Sequence, residues 1–123
     1  MANEISIDAR MSCKNGSLQL SIVPGGRTVN QAVARGGNPG TVSVGTAEQV
    51  LTFGDLTTPG YCLMQNLDAT NYVDVGPTAS GAMVAALRLL AGEYALLRLA
   101  PAAVYRAKAH TAAVNLLIVA LDT

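Results

Sequence analysis

The stretch Ile5-Ser6-Ile7-Asp8-Ala9-Arg10-Met11-Ser12-Cys13-Lys14-Asn15-Gly16-Ser17-Leu18-Gln19-Leu20-Ser21-Ile22 decides how this chain is read. Ile5, Ile7, Ala9, Met11 and Cys13 are apolar at odd positions, with Ser6, Asp8, Arg10 and Ser12 between them. A strand sends successive side chains to opposite faces, so this period of two predicts a half-buried strand. Asn15-Gly16 then gives the strongest short hairpin signal, because both residue types tolerate positive φ. Leu18, Leu20 and Ile22 resume the alternation on a second strand, which Pro24-Gly25-Gly26 ends.

The same grammar runs on. Residues 28–35 read as a strand, Gly36-Gly37-Asn38-Pro39-Gly40 as a turn, and 41–44 as a short strand rich in β-branched residues. A strand at 49–53 follows the Gly45-Thr46 break, then a loop from Asp55 to Pro59-Gly60. Residues 61–67 form a strand, Asp68-Ala69-Thr70 a tight turn, and 71–75 a strand that Gly76-Pro77 stops. Residues 79–113 are rich in Ala, Leu, Arg and Met, which on propensity alone favour helices at 82–99 and 102–113. Ala91-Gly92-Glu93 interrupts the first of these and Pro101 breaks its continuation. The remaining pieces have strand length, with a helix at 82–90 left open as the alternative. Residues 114–121 are an apolar run that reads as a strand buried on both faces. The expectation is an all-β chain: one antiparallel β-sandwich domain over residues 1–123, jelly-roll-like, with about eight to ten short strands.

Composition bounds what such a domain can do. The chain has 123 residues, enough for one domain that buries roughly two-thirds of its unfolded surface. Half the residues are apolar and 13% are charged, against about 25% charged in an average soluble domain. Mean hydropathy is +0.35, yet the longest apolar runs, near 82–87 and 116–121, fall far short of the ~20 residues of a spanning helix. A surface so poor in charge points to cover by copies of itself or by a partner. Lys plus Arg and Asp plus Glu balance at 8 each, so nothing steers the chain toward nucleic acid or an anionic membrane. Cys13 and Cys62 allow one disulfide, but both read more naturally as small buried apolar residues. The opening Met1-Ala2-Asn3-Glu4 has no basic run and no apolar core, which predicts no signal peptide.

Catalytic chemistry finds no foothold in the spacing. His110 is the one histidine, and Lys108, Ala109, Thr111 and Ala112 around it offer no metal-ligand spacing, so it reads as solvated or hydrogen-bonded. The carboxylates are Glu4, Asp8, Glu48, Asp55, Asp68, Asp74, Glu93 and Asp122. A glycosidase needs two of them facing across a substrate. Asp55, Asp68 and Glu93 sit instead at turns, where they accept from free backbone N–H groups. The glycines of 36–40 lack the Gly-Lys-Ser/Thr of a phosphate loop, and 76–81 lacks the dinucleotide spacing. Phe53, Tyr61, Tyr72, Tyr94 and Tyr105 are scattered singly and tryptophan is absent, which counts against a stacking surface for sugars or bases. The expectation is a chain that is not an enzyme, with no catalytic, metal or cofactor site.

From Gly45 to the C-terminus the sequence resembles a family of small structural proteins of tailed bacteriophages. The resemblance is carried by Glu48-Gln49-Val50-Leu51, by Thr57-Thr58-Pro59-Gly60-Tyr61, and most specifically by Gln65-Asn66-Leu67-Asp68-Ala69-Thr70-Asn71-Tyr72-Val73-Asp74-Val75-Gly76. Arg88-Leu89, Ala91-Gly92-Glu93, Arg98-Leu99, Arg106-Ala107-Lys108-Ala109 and Thr111-Ala112-Ala113 follow in the family's order. The resemblance implies a β-sandwich virion component, foremost a capsid decoration (cement) protein that binds and stabilises the shell. Its implied partners are itself, as a homo-oligomer of which trimers are the common form, and the major capsid protein, with no nucleic acid or membrane. Its implied place is the virion, assembled in the host cytoplasm. A neck or tail component of the same fold is the alternative, and a small ligand- or glycan-binding module the second.

Overall fold

The computed structural model describes residues 3–31 and 33–123, and every regular element in them is a strand. In chain order these are β1 (Ile5–Ile7), β2 (Met11–Asn15), β3 (Leu18–Ile22), β4 (Arg27–Val29), β5 (Gly36–Val44), β6 (Gln49–Val50) and β7 (Pro59–Asn66). They continue as β8 (Val73–Ala79), β9 (Ala82–Met83), β10 (Leu87–Leu89), β11 (Tyr94–Arg98), β12 (Tyr105–Ala109) and β13 (Val114–Asp122). The chain divides into two compact units, one ending at Val33 and one over Ala34–Thr123.

In the first unit β1 pairs antiparallel with β4, Ile5 opposite Val29. The Glu4 carboxylate accepts from the Gln31 N–H at 3.0 Å, which holds its pKa below the ordinary value. β2 and β3 form a separate hairpin. The continuous strand predicted over residues 5–13 is therefore two strands, since Asp8-Ala9-Arg10 lies in neither. Only Ile5 of its apolar residues is buried. The turn also shifts by one residue. Asn15 pairs with Leu18, so Gly16-Ser17 is the two-residue loop. Gly16 has φ 55° and Ser17 has no positive φ, the pattern of a type II′ turn with glycine first. The strand expected at 28–35 shrinks to Arg27–Val29. Within that range Ala32 lies outside the described residues, as do Met1 and Ala2 of the N-terminal segment.

The second unit is a two-sheet sandwich with jelly-roll winding. One sheet runs β11-β7-β13-β5 and the other β10-β8-β12-β6, with β9 added on β8. Omitting β9 and numbering these eight strands along the chain gives orders 1-8-3-6 and 2-7-4-5, the double Greek key of a jelly roll. The inner faces supply the core. Cys62, Met64, Leu116, Ile118 and Ala120 from one sheet meet Val73, Val75, Leu89, Ala107 and Ala109 from the other. The helix left open at 82–90 is absent: β9 and β10 occupy it. Ala91-Gly92-Glu93 is a turn, as its sequence predicts, with Gly92 at φ 78° and the Glu93 carboxylate accepting from the Leu90 N–H at 2.8 Å.

Two sequence-based turns prove to be strand. Gly36-Gly37-Asn38-Pro39-Gly40 opens β5 and pairs with residues 118–121 of β13 across a register shift. The stretch lies on an outer edge, where proline's missing donor is tolerated. The glycines absorb the irregularity, Gly37 and Gly40 at positive φ and Gly36 packed closely against Leu121. Gly76-Pro77 likewise does not stop β8, which runs through to Ala79. The Val84 N–H donates to the Pro77 carbonyl and the Ala86 N–H to the Val75 carbonyl, so this segment crosses directly over Gly76. Pro59-Gly60, read as loop, opens β7.

Candidate functional site

The two sheets of the sandwich show contrasting outer faces. On the β10-β8-β12 side, register sets Arg88 opposite Asp74 and Asp74 opposite Lys108, a charged row. Arg88 grips Asp74 with both arms, Nε to Oδ1 at 2.8 Å and Nη2 to Oδ2 at 3.0 Å. This hydrogen bonding raises the Arg88 pKa further. The guanidinium carbon also lies 4.1 Å from the centre of the Tyr72 ring. The same ring stacks on His110 at 4.8 Å between centroids and 13° between planes. Tyr72, Asp74, Arg88, Lys108 and His110 together line a hollow.

The groups in this hollow are already engaged with one another. Each Asp74 oxygen accepts one hydrogen bond from Arg88, which fixes the carboxylate within the row. The π surface of Tyr72 carries Arg88 and His110, so a sugar ring has little of it left to stack on. Sequence reasoning took His110 singly and missed the cluster. Its signal is alternation: Tyr72 and Asp74, like Lys108 and His110, are two apart and share a face, but only the β8–β12 pairing brings the two pairs together.

The outer face of the β11-β7-β13-β5 sheet carries one apolar row beside a mixed one. One row across it is Leu96, Leu63, Val119 and Pro39, and the next is Tyr94, Gln65, Leu117 and Thr41. Leu96 is 41% exposed and Tyr94 69%, while Leu63, Leu117 and Val119 are half-buried. Arg98 closes one edge, its guanidinium 4.4 Å over the Tyr61 ring. The prediction that 114–121 is buried on both faces is corrected here. Leu116, Ile118 and Ala120 are buried in the core, but Leu117, Val119 and Leu121 on the other side are only half-covered.

The remaining carboxylates hold backbone or side chains in place. Asp68 accepts from the N–H groups of Thr70 at 3.0 Å and Asn71 at 2.6 Å, which pulls its pKa down. Glu48 accepts from the Met83 N–H at 2.7 Å, and Asp55 from the Asn38 side-chain amide at 2.7 Å. Asp122 is fully buried: Oδ1 accepts from the Thr58 N–H at 2.8 Å, while Oδ2 has no hydrogen-bond partner among the described residues. Asn66, also fully buried, is satisfied by Asn71, Leu89 and Asp68. Residues 66–71 thus form a self-bracing corner. Both cysteines are free. Cys62 is buried, but Cys13 is exposed, against the expectation that both are buried. Among the described residues no three of His, Cys, Asp and Glu gather as a metal site would require, and no helix is long and apolar enough to cross a membrane.

No family model, no curated protein and no solved structure matches this chain.

Proposed function

We propose that the chain is a structural protein of a virion, a capsid decoration protein that lies flat on the major capsid shell and carries no catalytic role. The observation that supports this reading is the contrast between the two outer faces of one sandwich. The Arg88–Asp74–Lys108 row suits water, and the Leu96–Leu63–Val119 row suits burial against protein. An antiparallel sheet that faces water on one side normally alternates apolar-in and polar-out. β13 breaks that rule on its outer side, which argues for a cover supplied from outside the sandwich. An apolar row across one sheet face, beside engaged polar groups on the other, fits adhesion better than turnover.

The test uses shells assembled from the major capsid protein without this chain. The purified chain should bind them in many copies, and Leu63→Lys or Val119→Lys should weaken binding at least tenfold. Lys108→Ala, on the charged face, should bind as the unaltered chain does. Cryo-microscopy of whole particles that placed the chain only at the neck or tail would overturn the decoration role. Specific binding on a glycan array without shell binding would move the chain to the ligand-binding class.

A further inference from the structure

The N-terminal hairpin has a second apolar face. Met11 stands opposite Ile22, Cys13 opposite Leu20 and Asn15 opposite Leu18. Directly opposed residues share a face. Met11, Cys13, Leu18, Leu20 and Ile22 therefore line one side of the ribbon, and Ser12, Lys14, Gln19 and Ser21 the other. Every residue of both strands is exposed, Met11 at 62%, Leu18 at 57%, and Leu20 and Ile22 at 45% each. This is the stretch whose alternation predicts a half-buried strand, and nothing among the described residues of its own unit buries it. A lone two-stranded hairpin is marginal in water. The pattern is that of a sheet face waiting for its second layer.

We infer that this face is a self-association surface, packing against the same face of a second copy of the chain. The two hairpins stack as layers about 10 Å apart around a twofold axis, making a small four-stranded sandwich. Charge supports this occupant. Apart from the Cys13 thiol the face holds no ionisable group, and Lys14 projects from the opposite side. Self-packing thus sets no like charges against each other, and a charged partner finds nothing to pair with. Area sets the strength. Two such faces remove on the order of 800 Å² of mainly apolar surface, and Val23 and the Gly16-Ser17 turn at the rim bring the total toward the ~1,000 Å² that a specific interface needs. That is the lower end of specific interfaces, so the dimer should be reversible and dependent on concentration. Twofold closure uses the face up and prevents open-ended growth.

The inference rests only on the assembly part of the proposed function. A chain that binds shells as a monomer would overturn the self-association and leave shell binding standing. A dimer that ignores shells would do the reverse.

Analytical ultracentrifugation of the full chain in reducing buffer is the direct test. A monomer–dimer equilibrium is expected. Leu20→Glu should raise its dissociation constant at least tenfold, and Gln19→Glu on the polar side should not change it. Circular dichroism should give both variants the β-signal of the unaltered chain. Cys13, midway along β2, adds a positional reading: two facing ribbons bring two Cys13 thiols near the axis. The interface covers both thiols, so alkylation of Cys13 by iodoacetamide should slow as the chain is concentrated through its dissociation constant. A chain that stays monomeric at high concentration overturns the inference, as does a dimer that Leu20→Glu leaves intact. So does a monomer that binds phosphatidylcholine vesicles in a Leu20-dependent way, since the face would then serve lipid.

Discussion

Asn66 and Leu89 are 23 residues apart, and the buried side-chain amide of the first donates to the carbonyl of the second at 3.0 Å. The same nitrogen donates to the Asn71 carbonyl at 2.8 Å, and Asn66 Oδ1 accepts from the Asp68 N–H at 2.9 Å. One side chain thus ties the end of β7, the turn at 67–72 and the end of β10. Asn66→Ala leaves two carbonyls and one N–H without their partner. A loss of about 2–4 kcal/mol follows, measured by urea unfolding. Asn66→Asp keeps the acceptor but sets a carboxylate against two carbonyls, so it should lose at least as much.

Gly76 is the position where β8 has no room for a side chain. A Cβ there would collide with the backbone carbonyl of Val84, which rotamer changes cannot move aside. Gly76→Ala should cost about 3 kcal/mol or more. Gly81 is the control: it has φ 79° but open space where its Cβ would be. Gly81→Ala should cost only the backbone strain, about 1–2 kcal/mol. Equal losses in thermal unfolding would mean that the crossing over Gly76 is not tight.

These two glycines also show where the sequence stops being legible. The β2–β3 hairpin, though not its exact turn, the turn at 91–93 and the strands at 61–67 and 114–121 follow from alternation and turn residues, because local preference and tertiary pairing agree there. Gly36–Gly40 and Gly76-Pro77 read as stops because glycine and proline carry local turn preference. In the fold they serve long-range pairing, one against the end of β13 and the other under residues 84–86. The charged hollow was invisible for a related reason. Arg88 and Asp74 are 14 residues apart, and Tyr72 and His110 lie farther apart still, so only the sheet order brings them together. Composition did foretell uncovered apolar surface, but not that one hairpin face would gather Met11, Leu18, Leu20 and Ile22.

Asp68 should leave a mark on acid stability. Its carboxylate is favoured in the folded state by the Thr70 and Asn71 N–H groups, so its folded pKa lies below the ordinary 3.8. A depressed folded value contributes stability that is fully present above the unfolded pKa. It is lost as pH falls through the lower, folded one. Asp68→Ala should therefore lower the melting temperature at neutral pH and flatten its fall as pH drops below the ordinary carboxylate value of 3.8. A variant with the same acid slope as the unaltered chain would remove Asp68 from this account. The group is only partly buried, so the effect should be modest.

Neighbours on β13 should respond differently to the same change. Ile118 is fully buried between the sheets, and Val119 beside it faces the half-covered side. Ile118→Ala should cost about 2–5 kcal/mol through lost burial and the cavity left behind. Val119→Ala should cost about 1 kcal/mol or less in the isolated chain. On assembled shells the order should reverse for binding, with Val119→Ala weakening attachment more than its small effect on folding explains.

Cys62 gives a chemical clock for opening of the sandwich. It is buried among Met64, Ile118 and Ala120 in the core, and burial pushes its thiol up to about 12. The nucleophile in disulfide exchange is the thiolate, so Cys62 is doubly protected, by access and by protonation. In a Cys13→Ser chain, an aromatic disulfide reagent at about pH 8 should report no thiol in the native state and one after denaturation. The native reaction rate should rise with urea in step with unfolding, and Ile118→Ala should speed it in proportion to the stability it removes. Fast labelling without urea would mean that β7 and β13 separate far more easily than their shared ladder implies.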